Sequence, residues 1–260
     1  RSGCYADIVV QATPVESGLR MDKSSGVAIG LEVARNRLQG IYETGSRLDI
    51  ADSSAHDNLQ NGVLLENALI DMLRCTVSSN GVYGIFADKN SSATVTDSTV
   101  SLHPNHGIRL FTSSGDFLRT TVADNAVHGI SAEVSAVVMA DSHVTGNRAR
   151  GIDLVNSTAD LTATEIARNS GIGLSAVDST ASIVACTFSG QGAEGLVLTN
   201  AAAGMETSEI TGSARAGLLA TNAVAAIRGG SIHDNAGNGV ELVKSSIDVA
   251  DVTVSKNGGS

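Results

Sequence analysis

A glycine followed by Ile, Leu or Val returns every 22 residues along almost the whole chain. It stands at Gly18, Gly40, Gly62, Gly84, Gly107, Gly129, Gly151, Gly173, Gly195, Gly217 and Gly239, and only the step from Gly84 to Gly107 is 23. A period this short excludes an ordinary globular core. Each unit is one supersecondary element and can bury its apolar face only against the next copy. Inside the unit, apolar and polar residues alternate with a period of two, and Gly, Asn, Ser or Asp divides the alternation into three runs. That pattern predicts three short strands per unit, not a helix.

Counting from each glycine aligns the units. One position on stand Leu19, Ile41, Val63, Ile85 and Ile108, and the series continues to Val240. Three positions on, large and small alternate: Leu65, Ala87, Leu110, Ala132, Leu154, Ala176, Leu198, Ala220, Leu242. Stacked neighbours of alternating size interdigitate at close-packed density in a narrow interior. The expected fold is therefore all-β: a single-stranded, right-handed parallel β-helix of about 11 coils of 22 residues with three parallel sheets. At about 4.8 Å per rung the rod is roughly 50 Å long. Residues 1–260 read as one domain, with a partial coil at 1–17, regular coils at 18–257 and a tail at 258–260. No capping segment shows at either end, so end-to-end association of a piece of a larger protein is expected.

A second ladder lies four residues before the glycine: Asn36, Asn58, Asn80, Asn125, Asn147, Asn169, Asn235 and Asn257. Asn tolerates the bent backbone of a corner, and its amide can bond one coil to the next. His103 takes the Asn place once, and Gln191 and Ser213 are expected to break the ladder. Cys75 and Cys186 share a ladder of small residues. Five coils apart, they are too distant for a disulfide, so all three cysteines, Cys4 included, read as free thiols.

Composition fits a thin core and limits function. Aromatics are 3% of the chain and Trp is absent, so Val, Ile, Leu and Ala must fill the interior. A net charge of −10 argues against a nucleic-acid partner, which needs a cationic face. No apolar run is long enough for a membrane span. No Cys/His cluster or repeated Asp cage suggests a metal, and no cofactor is expected.

The Asn-x-x-x-Gly-Ile-x-Leu units resemble the right-handed parallel β-helix repeats of pectate lyases, other polysaccharide-active enzymes and bacterial surface proteins. The resemblance covers residues 18–257. It implies an extracellular or cell-surface location, bacterial, and a polysaccharide or another protein chain as partner. A leucine-rich repeat shares Ile-x-Leu and Asn, but its return segment would not alternate as this one does.

Function on such a rod lies on outward positions. Aromatic and charged residues cluster on the first strand of the N-terminal half. Glu66 and Asp88 fall on neighbouring rungs, where two carboxylates can raise one another's pKa and share acid–base work. Arg109 on the next rung can hold a sugar carboxylate. These three are the candidate catalytic residues. Tyr42, Phe86, Phe111, Arg109, Glu133 and Asp153 are the candidate ligand-binding set; on the alternative reading of this face as a plain solvated sheet, Phe86 and Phe111 instead cover each other across rungs. His103, His106 and His128 come from nearby corners. Farther along, Val155, Val177, Val197, Leu219 and Val243 form an apolar stripe suited to docking a partner or a second copy. The lack of Trp and of long loops makes a non-catalytic surface scaffold, adhesin or stalk the leading expectation. The alternative is a lyase, hydrolase or epimerase acting on acidic polysaccharide.

Overall fold

The computed structural model of the chain describes residues 9–11 and 16–259. The described residues contain only strands, turns and bends, in three parallel sheets. The first sheet has 11 strands, from Leu19–Asp22 and Ile41–Thr44 to Val240–Val243. The second has 11, from Ser25–Ile29 to Ser246–Ala250, and the third has 12, from Val9–Gln11 and Glu32–Ala34 to Thr253–Ser255. Each of the 11 coils from Leu19 on gives one strand to each sheet, Val9–Gln11 adds a twelfth to the third, and every internal strand pairs with its equivalents one coil before and after. Ile85 lies between Val63 and Ile108, Val95 between Met72 and Phe117, and Val77 between Ala55 and Val100. The repeat holds this register, since a one-residue slip would turn every inward side chain outward.

Three corners per coil bend the chain, and each uses a left-handed backbone, at one residue in most corners and at two in Lys89–Asn90 and Gly229–Gly230. Val134 (φ 51°), Asp141 (φ 50°) and Gly146 (φ 68°) serve one coil. Bending takes a backbone N–H out of the ladder, and a side chain on the next coil accepts it. Ser113 N–H donates to Ser135 Oγ, Thr120 N–H to Ser142 Oγ, and Asn125 N–H to Asn147 Oδ1, at 3.0–3.1 Å. Buried polar groups thus find partners along the rod axis. The repeated glycine is explained by close approach. A Cβ on Gly129 would sit 2.7 Å from Gly151 O and 2.8 Å from Asn147 Nδ2.

The asparagine ladder is continuous where a break was expected at Gln191. Asn169 donates its N–H and its Nδ2 to Gln191 Oε1, because the longer side chain still delivers a carbonyl to the same place. Ser213 is the real gap, and its Oγ has no partner. His103 is a ladder member turned into the interior. Its Nδ1 lies 2.9 Å from Asn125 Oδ1 and its Nε2 3.2 Å from Asn80 Nδ2. Burial lowers its pKa to about 4, so the ring is neutral. It therefore does not join the surface histidines.

The large–small ladder from Leu65 to Ala220 is fully buried. Its preceding member is Glu43, 0% exposed, with neither carboxylate oxygen hydrogen-bonded. Burial first, and Asp49 second, push its pKa up to about 8. Cys75 and Cys186 are buried and free, and burial raises both thiols. Cys4 lies outside the described residues.

Candidate functional site

The first sheet splits the Glu66, Asp88 and Arg109 trio. Glu66 and Asp88 do pair in register. The expected mutual rise in pKa is not found at Glu66: Lys89 Nζ at 2.6 Å and the Tyr42 hydroxyl at 2.7 Å both donate to it and lower its pKa. Lys89 belongs to the one longer corner, where Lys89 and Asn90 both have left-handed backbone. Tyr42 is held further by Arg20 over its ring. Arg109 faces the other way along the rod, donating to Ser131 Oγ and Glu133 Oε2.

Phe86 and Phe111 do not cover each other. Phe86 pairs in register with Arg109, and Phe111 with Glu133, because the two phenylalanines sit two residues apart within their strands. Phe86 packs instead on Tyr83, and Phe111 lies under the Arg109 guanidinium. Asp153 points outward yet is only 9% exposed. Arg150 Nη1 donates to it at 2.5 Å, and His128 Nε2 stands 3.8 Å away.

These contacts converge on one ladder, the residue just before each glycine. Four consecutive rungs carry Tyr83, His106, His128 and Arg150 there. The Tyr83 and His106 rings stack at 5.5 Å, and His106 and His128 at 4.9 Å with planes 3° apart. His106 Nδ1 accepts the His128 backbone N–H, and His128 Nδ1 accepts that of Arg150. An Nδ1 that accepts places the proton of a neutral imidazole on Nε2. Burial, then His128 and Arg109, lower the His106 pKa to about 4. Burial is also the main cause lowering His128, with Arg150 and Arg109 adding to it and Asp153 opposing.

The result is a row of neutral N–H donors flanked by two guanidinium groups and an aromatic hydroxyl. Such an arrangement can bind anionic oxygens and stabilise charge that develops on them. Among the described residues no group of three or more His, Cys, Asp or Glu is placed to hold a metal ion. Nor, among the described residues, is any helix long and apolar enough to cross a membrane.

The apolar stripe falls on two tracks. Val155 pairs with Val177 on one, and Val197 with Leu219 on the other, two residues away in the strand. Val243 returns to the first track but pairs with Thr221.

Comparison with known proteins agrees with this architecture. Residues 17–170 and 170–260 match the family described as right handed beta helix region. The chain belongs to that family. No curated protein matches it in sequence. Among solved structures, a periplasmic alginate epimerase (a T265N mutant) is similar, with TM-score 0.58 and 13% identity, covering 95% of this chain and 74% of that one. The A-module of an Azotobacter vinelandii mannuronan C-5 epimerase gives 0.55 and 11%, covering 98% and 89%. The enzymatically active domain of bacteriophage CBA120 tailspike protein 2 gives 0.54 and 11%, covering 91% and 43%. At these identities the likeness is one of fold.

Tyr83 and Arg150 were missed from sequence, and His106 and His128 were noted only as nearby corner residues. The signal was available: the place before the glycine, read as a ladder, changes from Asn61 to Tyr, His, His, Arg and then to Ile172.

Proposed function

We propose that this chain is a carbohydrate-active enzyme that exchanges a proton on a sugar of an acidic polysaccharide, as an epimerase or lyase does. The observation that carries this reading is the Tyr83–His106–His128 stack with neutral imidazoles beside Arg109 and Arg150. Abstracting the proton next to a uronate carboxylate builds negative charge on the carboxylate oxygens. The Nε2–H groups of His106 and His128 and the Arg109 guanidinium are donors suited to that charge. Tyr83, at the head of the stack, carries the proton: as the phenolate its oxygen takes the proton beside the carboxylate. In a lyase the phenol so formed returns it to the departing sugar oxygen, whereas in an epimerase water on the opposite face reprotonates the carbon and the phenol loses its proton to solvent.

Hydrolysis is less well supported, since it needs a protonated carboxylic acid beside a second carboxylate. Glu66 is held ionised by Lys89 and Tyr42, and Asp153 is paired with Arg150. The solved structures named above for epimerases and an enzymatically active tailspike domain share this fold and favour the enzymatic alternative over a passive scaffold. This reading also favours a secreted location, where such polymers occur. The test is incubation with polyuronates, following unsaturated-product absorbance, C5 inversion by NMR and new reducing ends. Reducing ends without unsaturation would indicate a hydrolase, and no change in any polymer would sink the proposal.

A further inference from the structure

Beyond His128 the same corner opens into a hollow of about 440 Å³, lined by Arg150, Gly171, Ile172, Glu194 and Arg215 among others. Its shape follows from the sequence. Two places before the glycine, Val127 gives way to Ala149, Gly171 and Ala193 on three successive rungs, and then Arg215 closes the far end. Three small residues in a row between larger ones leave a trough along the rod axis.

The trough has an apolar strip in Ile172 and a charged group at each end. Arg150 is already bound to Asp153. Arg215 is different: it reaches Glu194 Oε1 only at 3.6 Å, and its side chain is 72% exposed. Arg150 and Glu194 are two rungs apart, about 10 Å along the axis, a span suited to more than one sugar ring.

We infer that this trough is a carboxylate-reading subsite for a uronate residue of the same glycan chain, held by Arg215 while its ring lies over Ile172. The inference rests on the acidic-polysaccharide reading of the stack but is tested by binding, not by turnover. An incoming carboxylate would replace Glu194 as the partner of Arg215 and gain a bidentate geometry that the present 3.6 Å contact lacks. Glu194 is nearly buried and competes for the same guanidinium.

Isothermal titration with oligouronates from dimer to hexamer, and with neutral oligoglucosides of equal length, tests this on the whole chain. Arg215→Gln is expected to weaken the longer oligouronates roughly tenfold or more while leaving the dimer unchanged. Glu194→Gln is expected to tighten the longer oligouronates, a gain that misfolding cannot imitate. Equal affinity of wild type and Arg215→Gln at every length, or no binding of oligouronates at all, would overturn the subsite. Arg215-dependent binding without turnover would sustain it and overturn the enzymatic reading. Turnover with Arg215-independent binding would do the reverse.

Discussion

His106 lies face to face with His128, ring centroids 4.9 Å apart, and each ring's Nδ1 receives a backbone N–H from the following coil. Two imidazoles this close cannot both carry charge, and the backbone donors fix the tautomer that exposes Nε2–H. His106→Phe and His128→Phe keep a ring in the stack but remove that donor. Each is expected to lower kcat on a polyuronate roughly 100-fold. A backbone N–H left without its acceptor costs about 1 kcal/mol, so the fold should survive. Steady-state kinetics with circular dichroism checks both parts. Wild-type kcat in both variants would remove the stack from the chemistry.

The third nearby histidine belongs to stability. His103 has a pKa of about 4 in the fold against an ordinary 6.5. The unfolded chain therefore takes up its proton first as pH falls. The stability His103 confers is complete above pH 6.5 and is lost progressively as pH falls from 6.5 to about 4. His103→Asn places an amide between Asn80 and Asn125 and removes this titration. Thermal melts should show little change at pH 7 and a higher Tm for the variant near pH 4.5.

Glu43 works in the opposite direction. Its folded pKa of about 8 lies above the ordinary 4.5 because the carboxylate is buried without a hydrogen bond. Stability from this residue is complete below pH 4.5 and falls as pH rises to about 8. Glu43→Leu continues the apolar ladder beside Leu65. It should raise the denaturant midpoint at pH 8 and flatten the alkaline loss, with a smaller effect near pH 5. An unchanged pH dependence of the midpoint would show that Glu43 finds a partner in solution.

Val134 carries a β-branched side chain at φ 51°, 54% exposed, where the equivalent corner residues are Asn156, Asp178, Asn200 and Asn222. A left-handed backbone is strained for valine and tolerated by Asn. Val134→Asn should stabilise the fold by roughly 1 kcal/mol, measured by chemical denaturation. A loss of stability would mean that the side chain packs more usefully than its exposure indicates.

The fold was legible because every repeated residue answers a need met once per coil. Gly129 makes room for Asn147, Asn147 accepts the N–H that the corner strands, and Ile130 fills the interior. The site was only half legible because it is a departure from repetition. His103 and His106 are three residues apart, yet their different offsets from Gly107 put one inside the rod and the other on its surface. Glu66 and Asp88 looked paired because their strands are neighbours, but the side chains are governed by Tyr42 and by Lys89 in the longer corner. Gln191 was misjudged by residue type, when reach decides whether its carbonyl arrives.

Ser213 gives the most direct test of the corner argument. Its backbone N–H donates to Asn235 Oδ1 like any ladder member, but its own hydroxyl is buried and unpartnered. The side chain is too short to reach where Asn147 and Asn235 donate, to the carbonyls of Val122 and Ile210. Ser213→Asn puts Nδ2 within reach of the equivalent carbonyl at Phe188 and Oδ1 within reach of the Gln191 N–H. The site is ready for it, since Gly195 stacks on this position as Gly129 does on Asn147. Filling the gap should add about 1 kcal/mol per hydrogen bond gained and slow amide exchange of Gln191. Faster exchange, or a lower denaturation midpoint, would show that the ladder stabilises the rod only through backbone pairing.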